Sequence, residues 1–247
     1  MTASVLGACS GKPAATPDAA AAAQENGYLA APRVDAARAD PQGVVLTGSA
    51  PAGGQVRLAT PQGQATLARA DAQGHWAITL PPAADARIFG LSVTVGARLA
   101  QAEGYLLVTP AGEAALLRAG ASAQRIGTPA HAGLRAIDFD RGGGLLVSAA
   151  TPPGAAVILR IDGREGSPSR ADAQGRYLAS LGSPTPIRPG AHTIQVSGDG
   201  FSDEVQVQMT PAAPLAEGPL RSQFTPAGLR VDWMTPGGGV QSTVLVH

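Results

Sequence analysis

The chain has 247 residues, with 18 Lys+Arg against 18 Asp+Glu, a formal net charge of +0 and only 15% charged residues. That balance argues against nucleic acid as a partner, because no cationic surplus exists to release phosphate counterions. Of the residues counted as hydrophobic 49 are alanine, and Gly 32 with Pro 21 is too much punctuation for a helix bundle; no apolar run approaches the ~20 residues needed to span a bilayer.

The chain has one cysteine, which excludes an internal disulfide and any multi-cysteine metal site. It closes the run Leu6-Gly7-Ala8-Cys9, followed by Ser10 and Gly11. This tetrapeptide resembles the lipobox of bacterial lipoproteins. The resemblance implies that Cys9 carries the lipid, that the partner of the anchor is a membrane, and, with Ser10 next, that the protein is sorted to the outer membrane facing the periplasm. Only Met1 to Val5 precede Leu6, with no basic segment and no apolar stretch of signal-peptide length. Either a signal segment lies upstream of Met1, or Cys9 is a free cysteine in a tail. Residues 10 to 27 hold an alanine run (Ala19 to Ala23) and prolines but almost no large apolar side chain. They cannot bury enough surface to offset their ordering entropy, and they read as a disordered tether.

An internal repeat organises the rest. Arg69-Ala70-Asp71-Ala72-Gln73-Gly74 returns unchanged as Arg170 to Gly175, and the same offset aligns Pro51 with Pro152, Trp76 with Tyr177, and Thr109-Pro110 with Thr210-Pro211. A second recurrence brings Ala132-Gly133-Leu134-Arg135 and Gly142 to Gly144 back as Ala227-Gly228-Leu229-Arg230 and Gly237 to Gly239, with a fainter echo at Arg33-Val34-Asp35.

In chain order the blocks read as short strands. Val44 to Thr47 and Leu145 to Ser148 each lead into a Pro/Gly turn, followed by strands at Gln55 to Ala59 and Ala156 to Ile161. Asp162-Gly163 is a two-residue hairpin signal of type I′, in which both central residues need positive φ. His75 to Leu80 alternates, placing Trp76, Ile78 and Leu80 on one face. Leu91 to Val95, Tyr105 to Val108, His192 to Val196 and Val205 to Met209 supply further strands, whereas 113 to 121 allow at most one short helical turn. Such spacing predicts an all-β chain with two tandem sandwiches. The expected divisions are 1–27 for the lipobox-like start and tether, 28–112 for the first domain, 113–132 for a linker, and 133–247 for the second domain with extra carboxyl-terminal strands.

Asp71-x-x-Gly74-x-Trp76 and Asp172-x-x-Gly175-x-Tyr177, each followed by a leucine (Leu80, Leu181), resemble the turn-and-strand of bacterial immunoglobulin-like domains. Pro51-x-Gly53 and Pro152-Pro153-Gly154 match the early turn of the same modules. The resemblance implies an immunoglobulin-like sandwich for each block and brings no catalytic residue with it.

The last piece, Leu229 to Trp233 and Val240 to Val246, repeats the start of a unit whose remainder is absent. Two strands are not stable alone. They should pair with the edge of the second module or add to a partner chain. The four histidines (His75, His131, His192, His247) form no metal or catalytic spacing, no Gly-x-Ser-x-Gly elbow occurs, and no cofactor is expected. Asp138 and Asp140 lie on one strand face about 7 Å apart, a spacing open to Ca²⁺ but more typical of a solvated face. Trp76, in phase with Ile78 and Leu80, reads as core. Trp233 with Met234 is the candidate binding surface, the place for a stacked glycan or a protein. The sequence thus points to a non-enzymatic structural or interaction lipoprotein of the cell envelope, with an envelope protein or glycan as partner; its rivals are a carbohydrate- or peptidoglycan-binding module and, behind it, a hydrolase accessory protein.

Overall fold

The computed structural model describes residues 28–180 and 186–247, so Cys9, the expected tether and Leu181 lie outside the described residues. Among those described there are strands and turns but no helix.

The first module contains β1 (Arg33–Asp40), β2 (Gly43–Ser49), β3 (Gln55–Ala59), β4 (Ala65–Arg69), β5 (His75–Leu80), β6 (Arg87–Val95), β7 (Arg98–Gln101), β8 (Tyr105–Val108), β9 (Ala114–Leu117) and β10 (Gln124–Arg125). Its sheets run β1-β2-β5 and β10-β9-β8-β6-β3-β4, with β7 also on β6. The second contains β11 (Gly133–Asp140), β12 (Leu145–Ala150), β13 (Ala156–Ile161), β14 (Arg164–Glu165), β15 (Ser169–Arg170), β16 (Arg176–Ser180), β17 (Gly190–Gly198) and β18 (Phe201–Met209), followed by β19 (Leu220–Thr225), β20 (Gly228–Met234) and β21 (Val240–Val246). Its sheets run β16-β12-β11-β21-β20-β19 and β14-β13-β17-β18, with β15 on β13. Each module is a two-sheet antiparallel sandwich of the immunoglobulin-like kind.

The repeated Asp-x-x-Gly turn shows how sequence sets local structure. Asp71 Oδ1 accepts the backbone N–H of Gln73 at 2.9 Å and of His75 at 2.8 Å. Asp172 repeats this with Gln174 and Arg176, both at 2.9 Å. The glycine that follows sits at φ +85° in Gly74 and +73° in Gly175, and its carbonyl accepts the N–H of Ala50 or Thr151. The side-chain oxygen thus satisfies the donors left open by the tight turn. The turn delivers Trp76 and Tyr177 into their cores, and β5 buries Trp76, Ile78 and Leu80 while exposing the residues between them. Asp162 and Gly163 both have positive φ, as the predicted I′ hairpin requires.

The two copies are not identical in register. Val56 pairs with Val93, but its counterpart Val157 pairs with Gly198 and not with Ile194. The slip is by an even number of residues, so every side chain keeps its face.

Residues 113–132 are not a bare linker. They hold β9 and β10, which extend the second sheet of the first module. The terminal strands are also placed: β21 pairs with β11 through Ala136 to Asp140, and β20 and β19 follow outward. The four sheets therefore stack, with one core inside each sandwich and a third between the modules.

Candidate functional site

The third core is where sequence and chemistry concentrate. From the first module, Ile88, Leu107, Ala115 and Leu117 face outward from their sandwich. They meet Ala136, Leu229, Val231, Trp233 and Leu245 on the outer face of β11, β20 and β21. Alternate residues on those strands, such as Phe89, Leu106, Ile137 and Val244, serve the sandwich interiors. Both middle sheets are therefore apolar on two faces.

Trp233, the candidate binding residue whose exposure the sequence leaves open, is 0% exposed at the centre of this layer. Its ring meets Tyr105 edge-on, centroids 6.0 Å apart at 85°, and its Nε1–H donates to Thr243 Oγ1 at 3.1 Å. No ligand can stack on it. The reason is phase: Leu229, Val231 and Trp233 share one face of β20, and that face covers the first module. Met234, next along, is partly exposed at the strand end, with its backbone N–H on the Pro219 carbonyl. The two residues do not form one surface.

Asp138 also belongs to the junction. It is 1% exposed, and its carboxylate accepts Ala123 N–H at 2.8 Å, Thr243 Oγ1–H at 2.5 Å and Gln241 Nε2–H at 3.3 Å. Burial drives its pKa from the ordinary 3.8 up to about 6, opposed by those hydrogen bonds and by Arg118. Gln241 and Ser148 complete the clasp: Gly120 N–H donates to Gln241 Oε1 at 3.1 Å, and Ser148 Oγ–H donates to the Ala123 carbonyl at 3.0 Å. The loop between β9 and β10 is thus tied by side chains of β11, β12 and β21. Asp140 does not join Asp138 in a cation site; it points to its own turn, where its Oδ1 accepts Gly144 N–H.

On the other face of β20, Arg230 and Asp232 form a buried pair at 2.9 Å. Arg230 also reaches Thr210 Oγ1, the Thr210 carbonyl and Ser242 Oγ, and lies 5.2 Å from the Phe139 ring centroid. Burial alone would raise the Asp232 carboxyl, but hydrogen bonds from Arg221, Ser242 and Arg230 outweigh it and hold the group below its ordinary value.

The histidines are dispersed. His192 is hydrogen-bonded to Asp162 at 2.8 Å and to the Arg188 carbonyl at 2.7 Å, and His75 lies 3.7 Å from Asp71. Sequence reasoning named Asp138, on what it read as a solvated face, and Trp233, whose exposure it left open, and it passed over Arg118, Gln241 and Thr243. The one available signal was the run Leu229-Arg230-Val231-Asp232-Trp233, in which apolar and ionic residues alternate too strictly for a solvated ribbon.

No protein-family model matches this chain, and no curated protein does. Among solved structures, it is similar to a chain described as "Biofilm associated protein - BSP domain", with 16% identity and a TM-score of 0.27. The match covers 75% of this chain and 30% of the other.

Proposed function

We propose that this protein is a non-enzymatic structural or interaction component of the bacterial cell envelope, held to a membrane through Cys9 and presenting its two sandwiches as a single body. The observation that carries the reading is the junction. The buried groups with chemical potential, Asp138, Arg230 and Asp232, are committed to holding strands and modules together. A chain whose buried polar groups lock two domains is built to keep a shape. The lipobox-like Leu6-Gly7-Ala8-Cys9 supplies the reason to place that shape at a membrane.

The test is mass spectrometry of the amino-terminal peptide after expression from the native locus with its upstream DNA. A diacylated or triacylated Cys9 is the expected result. A terminus at Met1 or Thr2 with an unmodified Cys9 would remove the anchor and leave a soluble interaction protein.

A further inference from the structure

The repeated Ala-Gly-Leu-Arg segment allows one position to be compared between its two copies. In the later copy Arg230 is satisfied by Asp232, Thr210 and Ser242. In the earlier copy the residue two positions after the arginine is Ile137, so the carboxylate is missing from the sequence itself. Among the described residues Arg135 has no hydrogen-bond or ion-pair partner. The backbone differs as well. The β11–β12 ladder skips Arg135, with a register shift between Leu134 and Ala136, whereas β20 pairs with β21 without a break. A bulge of this kind turns a side chain out of the ladder.

Arg135 is turned toward a cleft of about 450 Å³ between the modules, within the ~300–1,000 Å³ usual for small-ligand pockets. Arg33 from β1, Arg125 from β10 and Arg176 from β16 line the same cleft, with the partly exposed Leu178 beside them. Arg125 already holds Glu113, and Arg176 holds Asp172. Arg33, like Arg135, makes no side-chain hydrogen bond or ion pair among the described residues. Four guanidinium groups face this half-enclosed space, two of them paired with Glu113 and Asp172, while Asp35 and Glu103 lie in the adjoining cleft that shares Arg33, Arg125 and Arg176. Burial lowers the Arg135 pKa, and Arg125 pushes it the same way against Glu113. The site therefore holds charge at a cost that a purely structural position would avoid.

We propose that this cleft binds a small ligand bearing an oxyanion, a carboxylate or a phosphoryl group, gripped by Arg135 and Arg33 with Arg125 and Arg176 adding to the field. Guanidinium forks match both anions in planar, two-pronged geometry. Contributions from both modules mean that the site exists only while they remain docked.

The full chain, isotopically labelled, is titrated by NMR at constant ionic strength with inorganic phosphate, with glucuronate and with uncharged glucose. Saturable amide shifts at 123–128 and 174–178 with either anion, and none with glucose, are expected. Preference for glucuronate identifies an acidic sugar as the ligand class, preference for phosphate a phosphoryl compound, and equal response a general oxyanion site. Arg135→Gln should weaken binding by about tenfold, while Arg57→Gln on β3 should leave it unchanged. Should Arg135→Gln fail to fold, Arg135→Lys retains the charge without the fork and should still weaken binding. Absence of saturable shifts, or affinity indifferent to the Arg135 substitution that folds, overturns the proposal.

Discussion

Asp138 is surrounded by donors, yet burial leaves its carboxyl with a pKa of about 6. A carboxyl whose folded-state pKa lies above its unfolded value binds its proton more tightly when folded. Its contribution is therefore most favourable below the unfolded value near 3.8 and is lost as pH rises through about 6. The full span is on the order of 3 kcal/mol. Asp138→Asn keeps the shape, can accept from Ala123 and donate to Thr243, and cannot ionise. Chemical denaturation across pH 4 to 8, a range set by ~2 pH units on either side of 6, should show wild type losing stability relative to this variant as pH rises. Parallel profiles would place the carboxyl in wetter surroundings. Nothing in Ala136-Ile137-Asp138-Phe139 announces this, because alternation shows that Asp138 lies opposite Ile137 but not that another module covers that side.

At the scale of single elements, the turns were the most legible features and the twice-buried strands the least. Asp162-Gly163 and the two Asp-x-x-Gly turns have local causes, namely positive φ and a side-chain oxygen within reach of the backbone, so sequence suffices to find them. β9 reads Ala-Ala-Leu-Leu, within a stretch for which the sequence allows at most one short helical turn. It serves two cores at once, so it has no period of two to display. β4 and β19 were missed for the opposite reason, being edge strands with mostly exposed side chains. The turn chemistry gives a graded prediction. Gly175 has φ +73°, and an added Cβ would stand 2.2 Å from the Thr151 carbonyl oxygen; Gly154 has φ +70° with open space around it. Gly154→Ala should cost about 1 kcal/mol from backbone strain alone, and Gly175→Ala about 3 kcal/mol or more. Equal losses in thermal melts would show that the carbonyl contact does not matter.

Taken whole, the molecule is a stack of four sheets, not two modules on a linker. Sequence could count the repeats and place the strands, but the docking face involves residues of both modules separated by more than a hundred positions, and no local pattern reports such a contact. Trp233 is the largest side chain in the shared layer and meets Tyr105 across it. Trp233→Ala should cost about 4 kcal/mol through lost burial and the cavity left behind. Because the loss falls at the junction, calorimetry should show one cooperative transition in wild type and two in the variant. A single transition lowered in midpoint would mean that the β9–β10 clasp couples the modules without the tryptophan.

The order of synthesis gives the terminal hairpin a further consequence. β11 and the outward face of β6, β8 and β9 precede in the chain the strands β20 and β21 that cover them with Leu229, Val231, Trp233 and Leu245. Until β20 and β21 arrive the first sandwich can close its own core, but the second still lacks Val244 and Val246, two apolar faces stay bare, and β11 offers an unpaired edge. Docking of that hairpin is therefore the event that joins the halves. A product lacking β21 would show bare apolar strands to chaperones and proteases, which docking of the hairpin conceals in one step.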